Sequence, residues 1–311
     1  MLYYKNNLTV LEELKKRCSS FETINALIPY TKEKYTYADL RNNKYPRYDE
    51  YLVGSDQVWN GIKVGNLDVF MLDFLEGKKG KTYAVSFGMK NIPNCMCDDY
   101  LKRISNFESL LVREDDGVKI CKKLGRTDAE IVLDPTLLLT EDEYAPIFED
   151  EKVVDGKYIL VYSLNKSLKI YNEAHKLAKR YGCKMVMLKR NSCPPTSKNY
   201  DESVELFNVS VGGFLWLIKN AECVVTNSYH SLLFSIVQKS KFYLFLDNAD
   251  EENSRLLTVA RLFGLEDRIY WERDCLPITI KSIDYDSVYG ILAKKRKESL
   301  CLLEKSLMRN N

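Results

Sequence analysis

The feature that most restricts the fold of this chain is a regular alternation of short apolar runs and amphipathic segments. Tyr158–Ser163 and Cys183–Leu188 are apolar runs of strand length, and Leu168–Tyr181 between them has the spacing of a helix. The alternation continues through Glu222–Thr226 and Phe242–Leu246. Strands that alternate with helices at this spacing predict βαβ units on a parallel sheet.

The first half of the chain repeats this pattern less regularly. Its predicted strands are Glu50–Val53, Lys81–Val85, Ser109–Val112 and Ala129–Leu133. A chain of 311 residues is longer than one compact core usually requires, so two domains are expected. We predict an α/β protein with two Rossmann-like domains that face each other across a cleft. The N-terminal domain would cover residues 1–154, the C-terminal domain residues 155–285, and a final helix residues 286–311.

Charge and cysteine content exclude several classes of partner and site. Lys and Arg number 46 against 44 Asp and Glu, and the net charge of +2 gives no field that would hold nucleic acid. Nine cysteines, with no Cys-x-x-Cys pair, disfavour a disulfide framework and a structural zinc site. We therefore expect no nucleic-acid partner, no metal and no cofactor.

The N-terminal residues and the apolar runs bear on localisation. Met1–Leu8 lacks the apolar core of a signal peptide, and no apolar run is long enough to span a bilayer. These features predict a cytoplasmic protein.

Candidate site residues follow the predicted strands, because ligands of open parallel sheets bind beyond the carboxyl ends of the strands. These residues are Gly54, Ser55, Asp56, Gln57, Trp59 and Asn60, then Ser86, Arg113, Glu114 and Asp134, and finally Asn227, Ser228, Tyr229 and His230. Alternatives remain for some of them. Gly54–Asp56 also fits a simple turn with a side-chain cap, Asp134 a structural turn, and Glu114 a helix N-terminus.

Two of these residues carry the most chemical information. Arg113 directly follows Leu110–Val112, where a guanidinium could clamp a phosphate or carboxylate, although a salt bridge to a nearby acid fits equally well. His230 lies at the start of a predicted helix, where an imidazole could donate to a bound anion or exchange a proton with a substrate. The only other histidine, His175, lies inside a predicted helix and fits a packing or surface role.

Six segments, in chain order, resemble the polysaccharide pyruvyl transferase family. They are Gly54–Asn60, Tyr83–Gly88, Val112–Glu114, Val132–Leu138, Tyr158–Tyr162 and Val225–His230, and the resemblance extends from Tyr48 to Arg268. It implies a two-domain fold similar to GT-B glycosyltransferases. It also implies transfer of pyruvate from phosphoenolpyruvate to a sugar of a surface polysaccharide, such as an exopolysaccharide or capsule, or to its lipid-linked precursor, usually as a ketal. A lipid-linked acceptor would bring the protein to the membrane surface as a peripheral partner.

The resemblance also implies roles for individual residues. His230 matches the catalytic histidine of the family and would act as the general acid, and Arg113 matches the arginine that binds the donor anion. Ketal formation requires both a proton carrier and a cation for the donor. The expected substrate-binding residues are Gly54, Ser55, Asp56, Gln57, Trp59, Asn60, Ser86, Asn227, Ser228, Tyr229 and Ser231.

The chain departs from the family pattern at three places. It begins too late for a first strand that many members carry, so the N-terminal domain could lack that strand. Ser228 stands where some members have an arginine, and Ser231 where a glycine is common. Three alternatives therefore stay open: a nucleotide-sugar glycosyltransferase of GT-B architecture, a non-catalytic family remnant, and enolpyruvyl transfer without ketal closure. In the first, Arg255 and Arg261 could meet the nucleotide, although a surface role on a predicted helix after Asn253–Ser254 fits them at least as well.

Overall fold

The computed structural model describes most of the chain, which forms two compact α/β units. The described residues are 15, 18, 19, 21, 22, 24–164, 168–189, 200–207, 209–246 and 253–308. One unit, here called the His230 unit, comprises Met1–Tyr30, Leu139–Asn248 and Leu265–Tyr285. The other, the Arg113 unit, comprises Thr31–Leu138, Ala249–Gly264 and Asp286–Asn311.

The helices and strands follow in chain order. The strands are β1 (Leu52–Val53), β2 (Gly80–Thr82), β3 (Phe107–Ser109), β4 (Leu111–Val112), β5 (Glu130–Ile131), β6 (Tyr158–Tyr162), β7 (Lys184–Leu188), β8 (Ser203–Leu206), β9 (Cys223–Thr226), β10 (Phe242–Leu246) and β11 (Ile269–Trp271). The α-helices are α1 (Tyr37–Arg41), α2 (Leu67–Phe70), α3 (Cys97–Arg103), α4 (Asp115–Lys123), α5 (Glu141–Phe148), α6 (Leu168–Tyr181), α7 (Val211–Asn220), α8 (Tyr229–Val237), α9 (Asn253–Leu262) and α10 (Tyr285–Leu307).

The His230 unit is built on a six-stranded parallel sheet with the order β11-β10-β9-β6-β7-β8. The middle strands β6, β9 and β10 are apolar along almost their whole length and buried, as parallel strands covered on both faces should be. Ile159 pairs with Cys223 and Tyr162 with Thr226, so β6 and β9 end at the same edge of the sheet. This edge is where α8 begins.

The Arg113 unit contains a three-stranded parallel sheet, β1-β2-β3, and a parallel pair, β4-β5. Val85 joins the two, because it forms parallel bridges with both Asp56 and Val112. The core of this unit contains several large, fully buried aromatic side chains. They are Trp59, Phe87, Tyr100 and Phe107.

The strands predicted over Glu50–Val53 and Ala129–Leu133 are reduced to Leu52–Val53 and Glu130–Ile131, and two other predicted strands are interrupted in the structure. The strand predicted over Lys81–Val85 ends at Thr82, and Ala84 then adopts a φ of 53°, which an extended strand does not allow. The strand predicted over Ser109–Val112 is split at Leu110 into β3 and β4, which pair with different neighbours. In contrast, α6 has the predicted bounds, and Gly182 follows it with a φ of 58°.

Each compact unit combines separate stretches of the chain, whereas the predicted domains were continuous. The predicted domain limits stay a prediction. Residues 286–311 were expected to form a final helix, and α10 packs within the Arg113 unit. Leu302 and Leu303 contact a cluster that includes Tyr83, and the Leu133 amide donates to Ser299 Oγ at 2.9 Å. None of the helices within the described residues combines the length and the apolar composition needed to cross a bilayer.

Candidate active site

His230 is the second residue of α8, and the short connection Asn227–Ser228 joins this helix to the end of β9. The helix is capped by Ser228, whose Oγ accepts from the Ser231 amide at 3.4 Å. The connection between strand and helix is fixed by Thr226, whose Oγ1 accepts from the Ser228 amide at 3.0 Å and donates to the Tyr162 carbonyl at 2.6 Å. The imidazole is therefore held at the first turn of a helix, where the dipole is positive.

The neighbours of His230 are packed but leave its ring half-buried. The ring of Tyr229 lies 5.5 Å from the imidazole in an edge contact, and Tyr229 itself is buried. Asn227 ties this segment to the adjacent strand, because its Oδ1 accepts from the Leu164 amide at 2.7 Å. Ser231 is fully buried. Among the residues expected at this end of the sheet, His230 and Asn227 are thus the ones with side chains partly open to a substrate.

Arg113 lies at the end of β4 with its guanidinium completely buried. Its Nη1 donates to Asp134 Oδ2 and its Nη2 to Asp56 Oδ1, both at 2.8 Å. The Asp134 carboxylate is buried, whereas the Asp56 side chain is 63% exposed. Arg113 therefore forms the salt bridges that were one of its two predicted roles, and binding of a donor anion, the other role, stays a prediction.

Asp134 and Ser55 complete the inner side of this group. Ser55 Oγ lies 3.2 Å from Asp134 Oδ2 and 3.1 Å from the Ala84 carbonyl. Asp134 Oδ1 also accepts from the Thr136 amide at 3.1 Å, so the residue serves the turn predicted for it and the ion pair with Arg113.

The loop Gly54–Asp56 needs its glycine. Gly54 has a φ of 148°, and a Cβ on it would lie 1.9 Å from the Tyr83 carbonyl oxygen. Asp56 follows with a φ of 67°, a conformation that aspartate tolerates better than most residues. The close approach to Tyr83 brings Asp56 to Val85 and its carboxylate to Arg113.

Glu114 was predicted to cap a helix N-terminus, but its carboxylate binds Ser86 and Phe87 instead. Glu114 is at the N-cap position of α4 but makes no side-chain cap. Its Oε1 accepts from Ser86 Oγ at 2.9 Å and from the Phe87 amide at 3.0 Å, and its Oε2 is buried without a hydrogen-bond partner, 3.8 Å from Arg113 Nε. Burial raises the pKa of Glu114 above the ordinary range of a glutamate, against the opposing influence of Arg113.

Arg255 is a member of this group that sequence reasoning placed elsewhere. It lies on α9, is 8% exposed and, with the Gln57 amide oxygen facing it, donates from Nη1 at 3.0 Å and from Nη2 at 2.5 Å. Its charge also acts on Glu114. The second arginine considered for nucleotide binding, Arg261, is 56% exposed and pairs with Asp115 at 3.3 Å. Gln57, which holds Arg255 in place, is distant in sequence, so no local sequence pattern could predict that Arg255 belongs to this group.

Trp59 and Asn60 are parts of the interior rather than of an open surface. The Trp59 indole is fully buried, donates to the Phe70 carbonyl at 3.0 Å and packs edge-on against Phe87 and Phe107. Asn60 is 3% exposed, and its Oδ1 accepts from the amide of Lys63 at 3.2 Å. These two side chains support the loop that carries Asp56 and Gln57.

The expected site residues thus form two groups, one in each unit. Arg113 is joined in its unit by Gly54, Ser55, Asp56, Gln57 and Ser86, together with Glu114, Asp134 and Arg255. His230 is joined in its unit by Asn227, Ser228, Tyr229 and Ser231. In the part of the chain that the structure describes, no three His, Cys, Asp or Glu residues are arranged to hold a metal ion.

Known structures share the fold at low sequence identity. The UDP-GlcNAc 2-epimerase from Methanocaldococcus jannaschii matches with a TM-score of 0.50 and 13% identity, over 92% of this chain and 88% of that protein. Arabidopsis thaliana UGT89C1, in complex with UDP-L-rhamnose, matches with a TM-score of 0.45 and 10% identity, over 96% of this chain and 73% of that one. Together with the parallel sheets, the likeness to the epimerase confirms the predicted GT-B-like α/β fold with Rossmann-like units.

Sequence comparison identifies the family. No curated protein sequence matches the chain. The family described as "Polysaccharide pyruvyl transferase" matches residues 7–248, which is more than half of the chain and includes both motif groups. The resemblance carried by the six segments is confirmed, and the chain belongs to the polysaccharide pyruvyl transferase family, a family of enzymes.

Proposed function

We propose that this protein transfers the pyruvyl group of phosphoenolpyruvate to a sugar of a surface polysaccharide or its precursor, as a ketal, with His230 as general acid and Arg113 binding the donor anion. The observation that carries the proposal is the place of His230, in the first turn of the helix that follows β9, within the segment matched by the family. An imidazole at a helix N-terminus combines a transferable proton with a local preference for anions.

The reaction gives His230 a defined task. A proton is added to the methylene carbon of phosphoenolpyruvate, which makes the neighbouring carbon electrophilic. One sugar hydroxyl oxygen bonds to that carbon, phosphate leaves from it, and a second hydroxyl oxygen then closes the ketal. Of the two hydroxyl protons, one restores the acid and the other leaves with phosphate. His230 supplies the first proton, the step for which a positioned acid is most needed.

Arg113 is suited to the donor anion because its two partners differ. Asp134 is buried and holds Nη1, whereas the carboxylate on Nη2 belongs to the exposed Asp56. A phosphate or carboxylate of the donor takes the place of Asp56 on Nη2, and Asp134 keeps the guanidinium in position. Exchange of one anion for another spares the cost of leaving a buried cation unpaired.

Glu114 and Arg255 adjust the charge around Arg113. Glu114 Oε2 lies 3.8 Å from Arg113 Nε, and burial raises the pKa of this carboxyl, so the charge beside Arg113 depends on whether Glu114 holds a proton. When the donor replaces Asp56, its additional negative charge is met by Arg255, which the Gln57 amide holds in place. Both residues are positioning residues in this proposal.

A ligand-binding measurement separates this function from glycosyl transfer. The thermal midpoint of the protein is measured with phosphoenolpyruvate, UDP-glucose and UDP-N-acetylglucosamine, since a ligand specific for the folded state raises it. We expect stabilisation by phosphoenolpyruvate that is lost in Arg113→Met. Stabilisation by a UDP-sugar alone would favour glycosyl transfer and contradict the proposal.

A further inference from the structure

The His230 unit contains a small aromatic pocket that the proposed chemistry does not use. Its volume is about 150 Å³, and it lies beyond the carboxyl ends of β6, β7 and β8. Phe21, Tyr162, Phe207 and Phe214 contribute its aromatic surface, and Lys189 and Ser210 contribute polar groups. All these residues belong to one compact unit.

We propose that this pocket binds one neutral pyranose ring of the acceptor glycan, next to the sugar that receives the pyruvyl group. Its identity as an acceptor subsite rests on the proposed function. A cavity of this volume accommodates one six-membered ring. Aromatic faces that line a pocket with few polar groups suit the CH face of a sugar, while the polar groups fix its orientation.

The charges of the pocket favour a neutral ligand. Lys189 is 6% exposed, and its ammonium group is already occupied by Glu205 at 3.6 Å and by the ring of Tyr171 at 4.4 Å. Ser210 caps α7, because its Oγ accepts from the Gly213 amide at 2.8 Å, and it donates to Glu151 at 2.7 Å. The cation and the helix N-terminus are therefore both compensated by the protein itself, which disfavours a phosphate or a nucleotide diphosphate.

The aromatic wall is preorganised by packing. The rings of Tyr162 and Phe214 meet edge to face with centroids 5.4 Å apart, and Phe214 also packs against Phe234 of α8 at 6.0 Å. Both pocket rings lie on regular elements, Tyr162 at the end of β6 and Phe214 on α7. A site built on rigid elements loses less entropy when a ligand binds.

The sheet fixes where this pocket lies relative to His230. The pocket is lined from β6, from β7 and from the residue after β8, and the order β9-β6-β7 places β7 two strand spacings, about 10 Å, from β9, which precedes His230. Most of the lining residues therefore lie to one side of the strand that leads to His230. Tyr162 lines the pocket, and its carbonyl accepts from Thr226 in the segment before His230. One residue therefore connects the pocket with the segment that carries His230. The pocket therefore suits a neighbouring sugar of an oligosaccharide acceptor.

The test measures sugar binding without turnover. Saturation-transfer NMR and titration calorimetry are run on the full chain with methyl β-glucoside, methyl β-galactoside, N-acetylglucosamine, N-acetylmannosamine, lactose and cellobiose. We expect saturation of ring CH protons for at least one of them. For that sugar, Phe207→Ala and Phe207→Leu should raise Kd at least fivefold, because leucine keeps apolar volume but offers no ring face. Trp271→Ala is the matched control, a half-buried aromatic on β11 at the opposite edge of the same sheet, and should leave Kd unchanged.

Three results would overturn the inference: no sugar of this panel binding, equal Kd values for the wild type and the Phe207 variants, or weaker phosphoenolpyruvate binding in Phe207→Ala. The last result would assign the pocket to the donor. The protein could also bind a sugar through Phe207 and yet neither bind nor turn over phosphoenolpyruvate. That result would support the pocket as a sugar site and refute only the proposed function.

Discussion

Arg113 donates through Nη2 to Oδ1 of Asp56 across 2.8 Å, and the two side chains of this ion pair differ completely in exposure. The guanidinium is fully buried, whereas the Asp56 side chain is 63% exposed. On the opposite side of the guanidinium, Asp134 forms a pair of the same length that is almost without contact to solvent. The Asp56 carboxylate can therefore be solvated by water when it leaves Arg113, whereas the Asp134 carboxylate cannot.

The two aspartates should consequently respond differently to neutralisation. Asp56→Asn removes a solvent-exposed partner and should lower the free energy of unfolding by no more than about 1 kcal/mol. The same variant should bind phosphoenolpyruvate about fivefold more tightly, a gain of about 1 kcal/mol, because a competing anion has lost its charge. Asp134→Asn, the matched control, leaves Arg113 buried without its inner partner and should cost about 3 kcal/mol. Calorimetric titration and denaturant unfolding measure both effects, and weaker donor binding by Asp56→Asn would contradict the exchange.

Gly54 is predicted to be irreplaceable for a steric reason. Gly54→Ala places a Cβ 1.9 Å from the Tyr83 carbonyl oxygen at a φ of 148°, so the loop that presents Asp56 to Arg113 must move. The expected loss is more than about 3 kcal/mol. Gly77→Ala is the control, because Gly77 also has a positive φ, 70°, but has no atom within 4 Å of the added Cβ; it should cost about 1 kcal/mol. Equal unfolding midpoints for the two variants would refute this explanation.

The buried carboxyl of Glu114 makes a prediction about pH. Its pKa is raised by burial, so the folded state binds the proton more tightly than the unfolded state does. This contribution to stability is fully present below the unfolded pKa, near 4.5, and is lost as the pH rises through the folded pKa. The free energy of unfolding of Glu114→Gln relative to the wild type should therefore increase as the pH rises above 4.5.

Asp116 provides the control for this pH dependence because the sign is opposite. Burial raises its pKa, but the hydrogen bonds from Lys119 and Ser254 outweigh burial, so the pKa lies below the ordinary aspartate value. Its contribution is present above the unfolded pKa and is lost as the pH falls through the folded pKa. Asp116→Asn should therefore resemble the wild type more closely in acid than at neutral pH. Parallel stability curves for Glu114→Gln and the wild type would contradict a raised pKa.

The cap of α8 should affect activity as well as stability. Ser228→Ala removes the side chain that accepts from the Ser231 amide and should cost about 1 kcal/mol. Because His230 lies in the same turn, kcat for pyruvyl transfer should fall several-fold. Thr140→Ala removes a comparable cap from α5, and it should cost a similar amount of stability while leaving kcat unchanged. Equal kcat values for the two variants would separate the cap from the chemistry.

Local sequence patterns were sufficient for the elements whose identity depends on local periodicity. The bounds of α6 follow from its apolar spacing and from Gly182, and β6 and β10 follow from continuous apolar runs. β8 was missed because Ser203–Leu206 is short, half-buried and mixed in character, and it becomes a strand only through its pairing with β7. Edge strands depend more on their neighbours than on their own composition.

The candidate site could be predicted in part for the same reason. Arg113 directly follows an apolar run, and His230 ends the polar segment after another, where the topology of a parallel sheet makes a polar residue informative. The side chains that surround Arg113 could not be predicted in this way. Glu114 looked like a helix cap until its carboxylate met Ser86 and Phe87, and Arg255 reaches Gln57 from a segment almost two hundred residues later in the chain. Such contacts are created by the tertiary fold and leave no trace in local spacing.

The most direct measurement of the central claim is phosphate release from phosphoenolpyruvate in the presence of an acceptor glycan, with mass spectrometry of the product. His230→Gln is compared with His175→Gln, the variant of the other histidine. His175 lies on α6, and its ring packs against the ring of Tyr200 with centroids 5.0 Å apart. We predict that the wild type and His175→Gln release phosphate in step with a glycan that gains one pyruvyl ketal, and that His230→Gln loses at least a hundredfold in rate, as expected for a general acid. Transfer by His230→Gln at the wild-type rate would contradict the account.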